Sequence, residues 1–245
     1  MLTLRATPVA TLAARHARLT PVIALALCVT WLASPFAQAG ESSVNRSVEV
    51  DQRAPNEDFS SVNGSVSLAA NAQADEVSSV NGNIVLGAGA QIREVSAVNG
   101  SIELAQQSVV REAVATVNGN VRGKQASVGS LTSVNGAITL SASKVSGNVK
   151  TVNGKLKFEA TAIDGSIETV WGQVELSAGS LLSKDLVVRK PQGSAWNRSK
   201  PPRIVIGANS QVLGRIVLEH AAEVLVHESA QIGGIEGGAI ARFKD

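Results

Sequence analysis

Apolar and polar residues recur with a fixed period through the middle of the chain. Counted from the asparagine of each Val-Asn-Gly triplet, the positions four before, three after and five after it are almost always aliphatic. Small, polar or charged residues lie between them, so the pattern alternates with period two, as in short strands with one buried face. The six asparagines are Asn63, Asn81, Asn99, Asn118, Asn135 and Asn153.

The spacing of the triplets predicts a repeat architecture. The steps are 18, 18, 19, 17 and 18 residues, and the same step reaches Asn45 before the series and Trp171 after it. Eight copies therefore span residues 41–182. A further aliphatic position falls ten or eleven residues after the asparagine, at Ile92, Val110, Val128, Val145, Ile163 and Leu181. Between Val80 and Val110 aliphatic residues recur every six positions: Val80, Leu86, Ile92, Val98, Leu104 and Val110.

These columns predict an all-β fold, a single-chain β-solenoid or parallel β-helix with about 18 residues per coil and roughly ten coils. An array of hairpins is the alternative, because Asn-Gly between alternating apolar segments also favours a two-residue β-turn. The strict period favours the solenoid, since stacked coils need equal lengths and hairpins do not.

In a solenoid we expect the triplet to form a corner. Asparagine tolerates left-handed backbone angles, and the following glycine supplies a second such position. Coils stacked about 4.8 Å apart would align the asparagine amides in a hydrogen-bonded ladder. The triplet is then architectural, because an amide is a poor base and a poor nucleophile.

The chain divides into four parts. We expect a signal peptide over 1–39, regular repeats over 40–182, a basic Pro/Gly loop over 183–203, and further coils with a cap over 204–245. In the last part Ile206, Val212, Leu218, Val224 and Ala230 recur every six residues. The loop carries the candidate ligand-binding residues, an aromatic ring among cations suited to an anionic glycan or lipid head group. They are Trp196, Arg198, Lys200 and Arg203.

The N-terminal segment predicts export. Arginines precede a short apolar run, and Ala37-Gln38-Ala39 forms a small-x-small cleavage site before Gly40. Cleavage removes three of the 22 basic residues and leaves 19 against 20 acidic ones. We therefore expect a periplasmic or secreted protein, with no nucleic-acid partner and no transmembrane segment in the mature chain. The single cysteine, Cys28, lies in the leader, so no disulfide is expected.

Catalytic chemistry has little support in the sequence. Asp75, Glu76, Glu94 and Glu112 form an acidic row at the repeat spacing, with no accompanying arginine or lysine row. His220 and His227 are the only histidines after the leader and have no third metal ligand nearby in sequence. We therefore predict a non-enzyme without cofactor or metal. A polysaccharide-active β-helix enzyme is the minor alternative.

One column of small polar residues has two interpretations. Two residues before the asparagine lie Ser79, Thr116, Ser133, Thr151 and Thr169, interrupted by Ala97. The column is either a flat ice- or carbohydrate-binding row or a set of small side chains packed near a corner. Packing is the favoured interpretation.

The Val-Asn-Gly repeats, such as Thr-Val-Asn-Gly-Lys-Leu at 151–156, resemble a bacterial adhesin-type repeat family of exported β-solenoids. The tail at 203–232 is similar to bactofilin-type polymer-forming repeats. The first resemblance implies an exported β-solenoid in a family of mostly unknown function, for which we expect a monomeric module that binds cell-envelope polysaccharide or another surface through a flat face or the loop at 184–203. The second implies a structural scaffold, a homo-oligomer that assembles end to end through its terminal coils.

Overall fold

The computed structural model describes residues 41–51, 55–191 and 200–244, and these form an all-β parallel solenoid of eleven turns. Val66 pairs in parallel with Ile84, and Ile84 pairs with Ile102, so each residue meets its equivalent 18 positions on. The solenoid prediction is confirmed, and the hairpin array is wrong. Among the described residues no helix is long and apolar enough to cross a membrane. The predicted signal peptide lies outside them.

Strands are numbered β1–β27 in chain order and form two sheets. The branched sheet has 16 strands, and its first six follow one another along the axis. These are β1 (Ser42–Ser43), β3 (Phe59–Ser61), β5 (Gln73–Ser79), β7 (Gln91–Ala97), β9 (Val109–Asn118) and β11 (Ser127–Asn135).

After β11 the branched sheet divides, because the next coils need an extra corner residue. Val128 and Leu131 are three positions apart, whereas their partners Val145 and Val149 are four apart. One branch is β13 (Lys144–Val145), β16 (Ala162–Ile163), β19 (Leu181–Leu182), β22 (Gln211–Val212) and β25 (Gln231–Ile232). The other is β14 (Val149–Asn153), β17 (Ile167–Thr169), β20 (Leu186–Val188), β23 (Ile216–Leu218) and β26 (Ile235–Glu236).

The unbranched sheet contributes one strand to each of the eleven turns. Its strands are β2 (Val48–Val50), β4 (Val66–Leu68), β6 (Ile84–Leu86), β8 (Ile102–Leu104), β10 (Val121–Lys124), β12 (Ile138–Ser141), β15 (Lys155–Glu159), β18 (Gln173–Ser177), β21 (Arg203–Ile206), β24 (Glu223–His227) and β27 (Ala241–Phe243).

The core is a narrow column of aliphatic side chains between the sheets. The residues four before and three after each asparagine are all buried, and Phe158 is the largest fully buried side chain. Three of the recurring aliphatic residues in the sequence pattern, Leu181, Val80 and Val98, do not lie in the core. Leu182 rather than Leu181 is buried, because the preceding turn is one residue longer than in the coil below. Val80 and Val98 are half-buried and belong to the outer surface.

The 19- and 17-residue steps have separate local causes. In β9 the pair Arg111 and Glu112 lies opposite the single residue Arg93 of β7, which makes a β-bulge and lengthens that coil by one residue. The next coil lacks one residue in the turn after β10. Gly123 pairs with Leu104 while Ser127 pairs with Val109, so three residues lie between Gly123 and Ser127 where four lie between Leu104 and Val109. The register is thereby restored.

Nine left-handed residues lie at a different corner from the triplets. They have φ between 47° and 75° and follow the strands of the unbranched sheet: Asn71, Gly89, Gln107, Gln125, Ala142, Ala160, Ala178, Gly179 and Asn209. Gly237, with φ of 83°, follows β26 in the last coil. In the six triplets, all described, no residue has positive φ. The expectation of left-handed angles at Asn-Gly is therefore wrong.

Glycine is needed in the triplets because the stacked backbones approach closely. A Cβ atom on Gly82 would overlap the carbonyl oxygen of Gly64, and one on Gly100 would overlap that of Gly82. The overlapped atoms are backbone atoms of the coil below and cannot rotate away. A side chain here would force the coils apart.

The eleventh and last coil closes the core with residues that are unusual at core positions. Arg242 pairs with Val226 of the preceding coil. The side chain of Val226 is buried, whereas that of Arg242 is exposed. Gly237 lies above the buried Leu218. A charge or a glycine at the end of a core column gives an added strand little to pack against.

Candidate functional site: an uncharged face beside the asparagine ladder

The asparagines form one continuous ladder along a corner of the solenoid. Each Nδ2 donates to the Oδ1 of the asparagine one coil earlier, with the same polarity throughout. The distances are 2.9 Å for Asn63 to Asn45, 2.9 Å for Asn81 to Asn63, 3.0 Å for Asn99 to Asn81, 3.0 Å for Asn118 to Asn99 and 3.2 Å for Asn135 to Asn118. All six of these side chains are exposed, and Asn153 is half-buried in the next coil.

A second ladder, two residues further on, strengthens the same corner. The side-chain oxygen of one coil accepts the backbone N–H of the next, as from Ser101 to Asn83 at 2.9 Å and from Ala137 to Asn120 at 2.9 Å. Sequence reasoning missed this row. Its signal was the repeated Ser or Asn two residues after the ladder asparagine in the first five coils, at Ser47, Ser65, Asn83, Ser101 and Asn120.

Beside the ladder runs a row of outward-facing valines. Val44 and Val62 are 63% and 41% exposed, the largest exposed fractions of valine among the described residues. The six that follow are half-buried by their neighbours: Val80, Val98, Val117, Val134, Val152 and Val170. The outward orientation of the triplet valine could be predicted from the alternation of inward and outward residues along the strand. The inward positions lie two and four before the asparagine, so the valine directly before it faces outward.

A third row of small residues completes the face. Ser42 pairs with Ser60, Ser78 with Ser96 and Ala115 with Thr132, so these residues stack in one column, in which Ser42 is exposed, Ser78 is buried and the other four are half-buried. Within the first six coils the three rows carry no charged residue. We call this surface the neutral face. It comprises Ser42, Ser60, Ser78, Ser96, Ala115 and Thr132, the valines from Val44 to Val134 and the asparagines from Asn45 to Asn135.

The neutral face has charged borders. In the seventh coil Lys150 pairs with Thr132, and Glu168 follows it. Along one side of the face, parallel to the solenoid axis, three acidic residues lie two positions before residues of the small row. They are Asp58, Glu76 and Glu94.

Arg93 lies at the centre of Asp75, Glu76, Glu94 and Glu112, the acidic residues for which the sequence offered no accompanying row of basic residues. Its contacts are Nε to Asp75 Oδ1 at 2.8 Å, Nη1 to Glu94 Oε2 at 3.1 Å, Nη1 to Glu112 Oε2 at 3.0 Å and Nη2 to Glu76 Oε2 at 3.9 Å. The hydrogen bond to Asp75 raises the pKa of Arg93, so the guanidinium stays charged. Burial raises the pKa of Glu76, and the nearby carboxylates of Glu94 and Asp58 raise it further. The arrangement is a surface ion network around one arginine.

The Ser/Thr column cannot serve as an exposed binding row, because it faces the core. Ser79, Thr116, Ser133, Thr151 and Thr169 are each at most 4% exposed. Ser79 Oγ donates to the Gly64 carbonyl at 3.1 Å, and Thr169 Oγ1 accepts the Gly172 N–H at 2.8 Å. The ice- or carbohydrate-binding interpretation of this column is therefore wrong. Small side chains packed near a corner describe it correctly.

The basic loop is only partly described. Trp196 and Arg198 lie outside the described residues, while Lys200 is exposed at the edge of the loop. Arg203 begins β21 and lies 3.5 Å from Glu223. The predicted loop begins too early, because Leu186–Val188 form β20 of the solenoid with Leu186 and Val188 buried. Directly after β20, the Lys190 N–H and Arg189 bind Glu219 and lower its pKa. These ion pairs hold the base of the loop on the solenoid.

The two histidines lie apart and have local partners. His220 packs edge-on against Trp171 at 5.0 Å, and its Nε2 lies 2.9 Å from the Val170 carbonyl oxygen. His227 Nδ1 lies 2.8 Å from Ser229 Oγ. Within the described part of the chain no group of three metal-ligating side chains comes together.

Comparison with models of known protein families, with curated proteins and with solved structures returns no match for this chain. Function must therefore be argued from the surfaces of the solenoid itself.

Proposed function

We propose that the protein is a non-enzymatic binding module of the cell envelope that presents the neutral face to a large, extended ligand. The observation that carries the proposal is the uncharged face, which is repeated through six coils and keeps its valines and asparagines exposed or half-buried. A continuous surface with an apolar strip marks an interaction site more often than single scattered apolar residues do, so an uncharged face of this length suggests a ligand-binding surface. The signal peptide predicted over 1–39 would bring the module to the periplasm or the exterior.

The rigidity of the corner supports this role. Two side-chain ladders and the backbone pairing hold the exposed residues at one spacing, so binding would order few additional side chains. A preorganised surface loses less conformational entropy on binding than a flexible one. The Val-Asn-Gly repeats that resemble adhesin-type solenoids fit the same function.

The alternative function is an end-to-end scaffold. In its favour, the last coil leaves Ile232, Ile235 and Ile240 only partly buried. Against it, Arg242 and Gly237 end two core columns and would leave a second copy poorly packed. We therefore place lateral binding before axial assembly.

Co-sedimentation of the mature chain with purified insoluble envelope material tests the proposal. We expect retention that persists at high salt, because the neutral face binds without ion pairs. Binding through the basic loop would instead be reversed by salt and by Trp196→Ala. If the folded chain stays in the supernatant with every envelope fraction, the proposal is wrong.

A further inference from the structure

We infer that the ligand of the neutral face is an uncharged polysaccharide in an extended conformation, lying along the solenoid axis. This inference rests on the proposed function and adds its ligand class. It follows from three properties of the face: its period, the chemistry of its rows and the charges at its borders.

The period of the face suits a polymer of regular units. Successive coils place equivalent side chains about 4.8 Å apart, so the six coils extend over roughly 24 Å. Each coil presents the same sequence of small residue, valine and asparagine across the axis. The spacing is close to the length of one pyranose unit in an extended chain, so several sugar units can make equivalent contacts.

The rows offer the two kinds of contact that a sugar unit needs. The valines give an apolar strip against which the C–H faces of pyranose rings can pack. Beside them, the ladder uses one N–H and one oxygen lone pair of each amide. Because an asparagine amide has two N–H donors and an oxygen with two lone pairs, one donor and one acceptor remain for ligand hydroxyls. The ladder also orients all amides in the same direction.

The acidic border selects against anionic polymers. Asp58, Glu76 and Glu94 lie next to the small row and would repel an anionic chain. Arg93 neutralises only part of this charge, since it lies within 4 Å of Asp75 and Glu112 as well as of Glu76 and Glu94. An uncharged polysaccharide avoids the repulsion that an anionic one would meet at this border.

Depletion of the protein from solution by insoluble polysaccharides tests the inference. The neutral probes are microcrystalline cellulose and chitin, and the anionic probe is polygalacturonate on a resin. We expect the chain to bind at least one neutral probe, at low and high salt alike, and to bind polygalacturonate weakly or not at all.

Two surface valines provide a matched pair of variants. Val62 on the neutral face is 41% exposed, and Val85 on the unbranched sheet is 37% exposed. We expect Val62→Lys to weaken binding on the order of tenfold, because an ammonium replaces apolar contact at the ligand. Val85→Lys should leave binding within about twofold of the unmodified chain. Thermal unfolding of both variants verifies that each is folded, and Val98→Lys repeats the test at the centre of the face.

Several outcomes would overturn the inference. These are equal effects of Val62→Lys and Val85→Lys, preference for polygalacturonate, or a dimer that Val62→Lys dissociates without any polysaccharide binding. If Val62→Lys is retained on envelope material as strongly as the unmodified chain, the neutral face is not the site, while an envelope-binding function stands. If the unmodified chain is retained on no envelope material, the proposed function fails as well.

Discussion

Replacement of Gly100 by alanine is the sharpest test of how the coils stack. The new Cβ atom would overlap the carbonyl oxygen of Gly82 in the coil below, and that oxygen belongs to the backbone. The overlap can be relieved only by separating the two coils at this corner. Because Gly100 does not have positive φ, the alanine itself adopts the native backbone angles without strain.

The cost follows from the hydrogen bonds that cross the same gap within two residues of Gly100. They include Val98 N to Ser79 O at 3.0 Å, Asn99 N to Val80 O at 2.7 Å, Asn99 Nδ2 to Asn81 Oδ1 at 3.0 Å and Ser101 N to Asn83 Oδ1 at 2.9 Å. At about 1 kcal/mol each, their loss or weakening lowers the free energy of unfolding by up to about 4 kcal/mol. For a chain of this size the melting temperature should fall by roughly 8–16 °C.

Gly123→Ala is the control, since it adds the same atom beside a flexible side chain. The nearest atom to its Cβ would be Leu140 Cδ2 at 2.8 Å, which can rotate away. Circular dichroism during thermal and denaturant unfolding should give a small change for Gly123→Ala and a large one for Gly100→Ala. If the two variants differ by less than about 1 kcal/mol, close backbone stacking is not the reason for the glycine.

Three further predictions concern the ladder, the acidic row and the last coil. Asn99→Ala removes two ladder hydrogen bonds and should lower the free energy of unfolding by about 1–2 kcal/mol in denaturant titrations, and an unchanged midpoint would contradict this. Glu76→Gln should stabilise the protein at neutral pH, because the raised pKa means that the folded state disfavours the carboxylate. The gain should disappear in acid, where Glu76 is protonated in folded and unfolded chains alike, and a pH-independent gain would show that titration of Glu76 is not its cause. Arg242→Val continues a core column and should produce concentration-dependent oligomers in size-exclusion chromatography with light scattering, whereas a monomer at all concentrations would show that Arg242 alone does not prevent axial growth.

The repeat period was sufficient to predict the fold. Parallel coils bring residues about 18 positions apart into contact. The same type of side chain therefore recurs at that spacing within the chain, and its recurrence shows which residues stack. The parity of the columns separated inward from outward positions, and it placed Val77, Ile84 and Leu86 in the core, where they are fully buried.

The geometry of the Val-Asn-Gly corner was harder to predict, because the backbone preferences of Asn-Gly suggest the wrong reason for the glycine. Asn-Gly has a strong tendency towards left-handed turns, yet the left-handed residues are Asn71, Gln107 and their equivalents at another corner. The glycine is instead required by a contact with the next coil. Such a contact depends on how closely two coils approach, and no single repeat contains that information.

Sequence alone determined the parallel solenoid, because a side-chain pattern repeated every 18 residues is compatible with few other folds. Only the tertiary structure decided which surfaces are usable. It buried the Ser/Thr column, placed Arg93 among carboxylates from neighbouring coils and left only Val44 and Val62 of the valines beside the asparagine ladder exposed. The physical reason is that the exposure and charge of a position in a stack depend on the coils above and below it. Their register in turn depends on one inserted residue in β9 and one missing residue after β10.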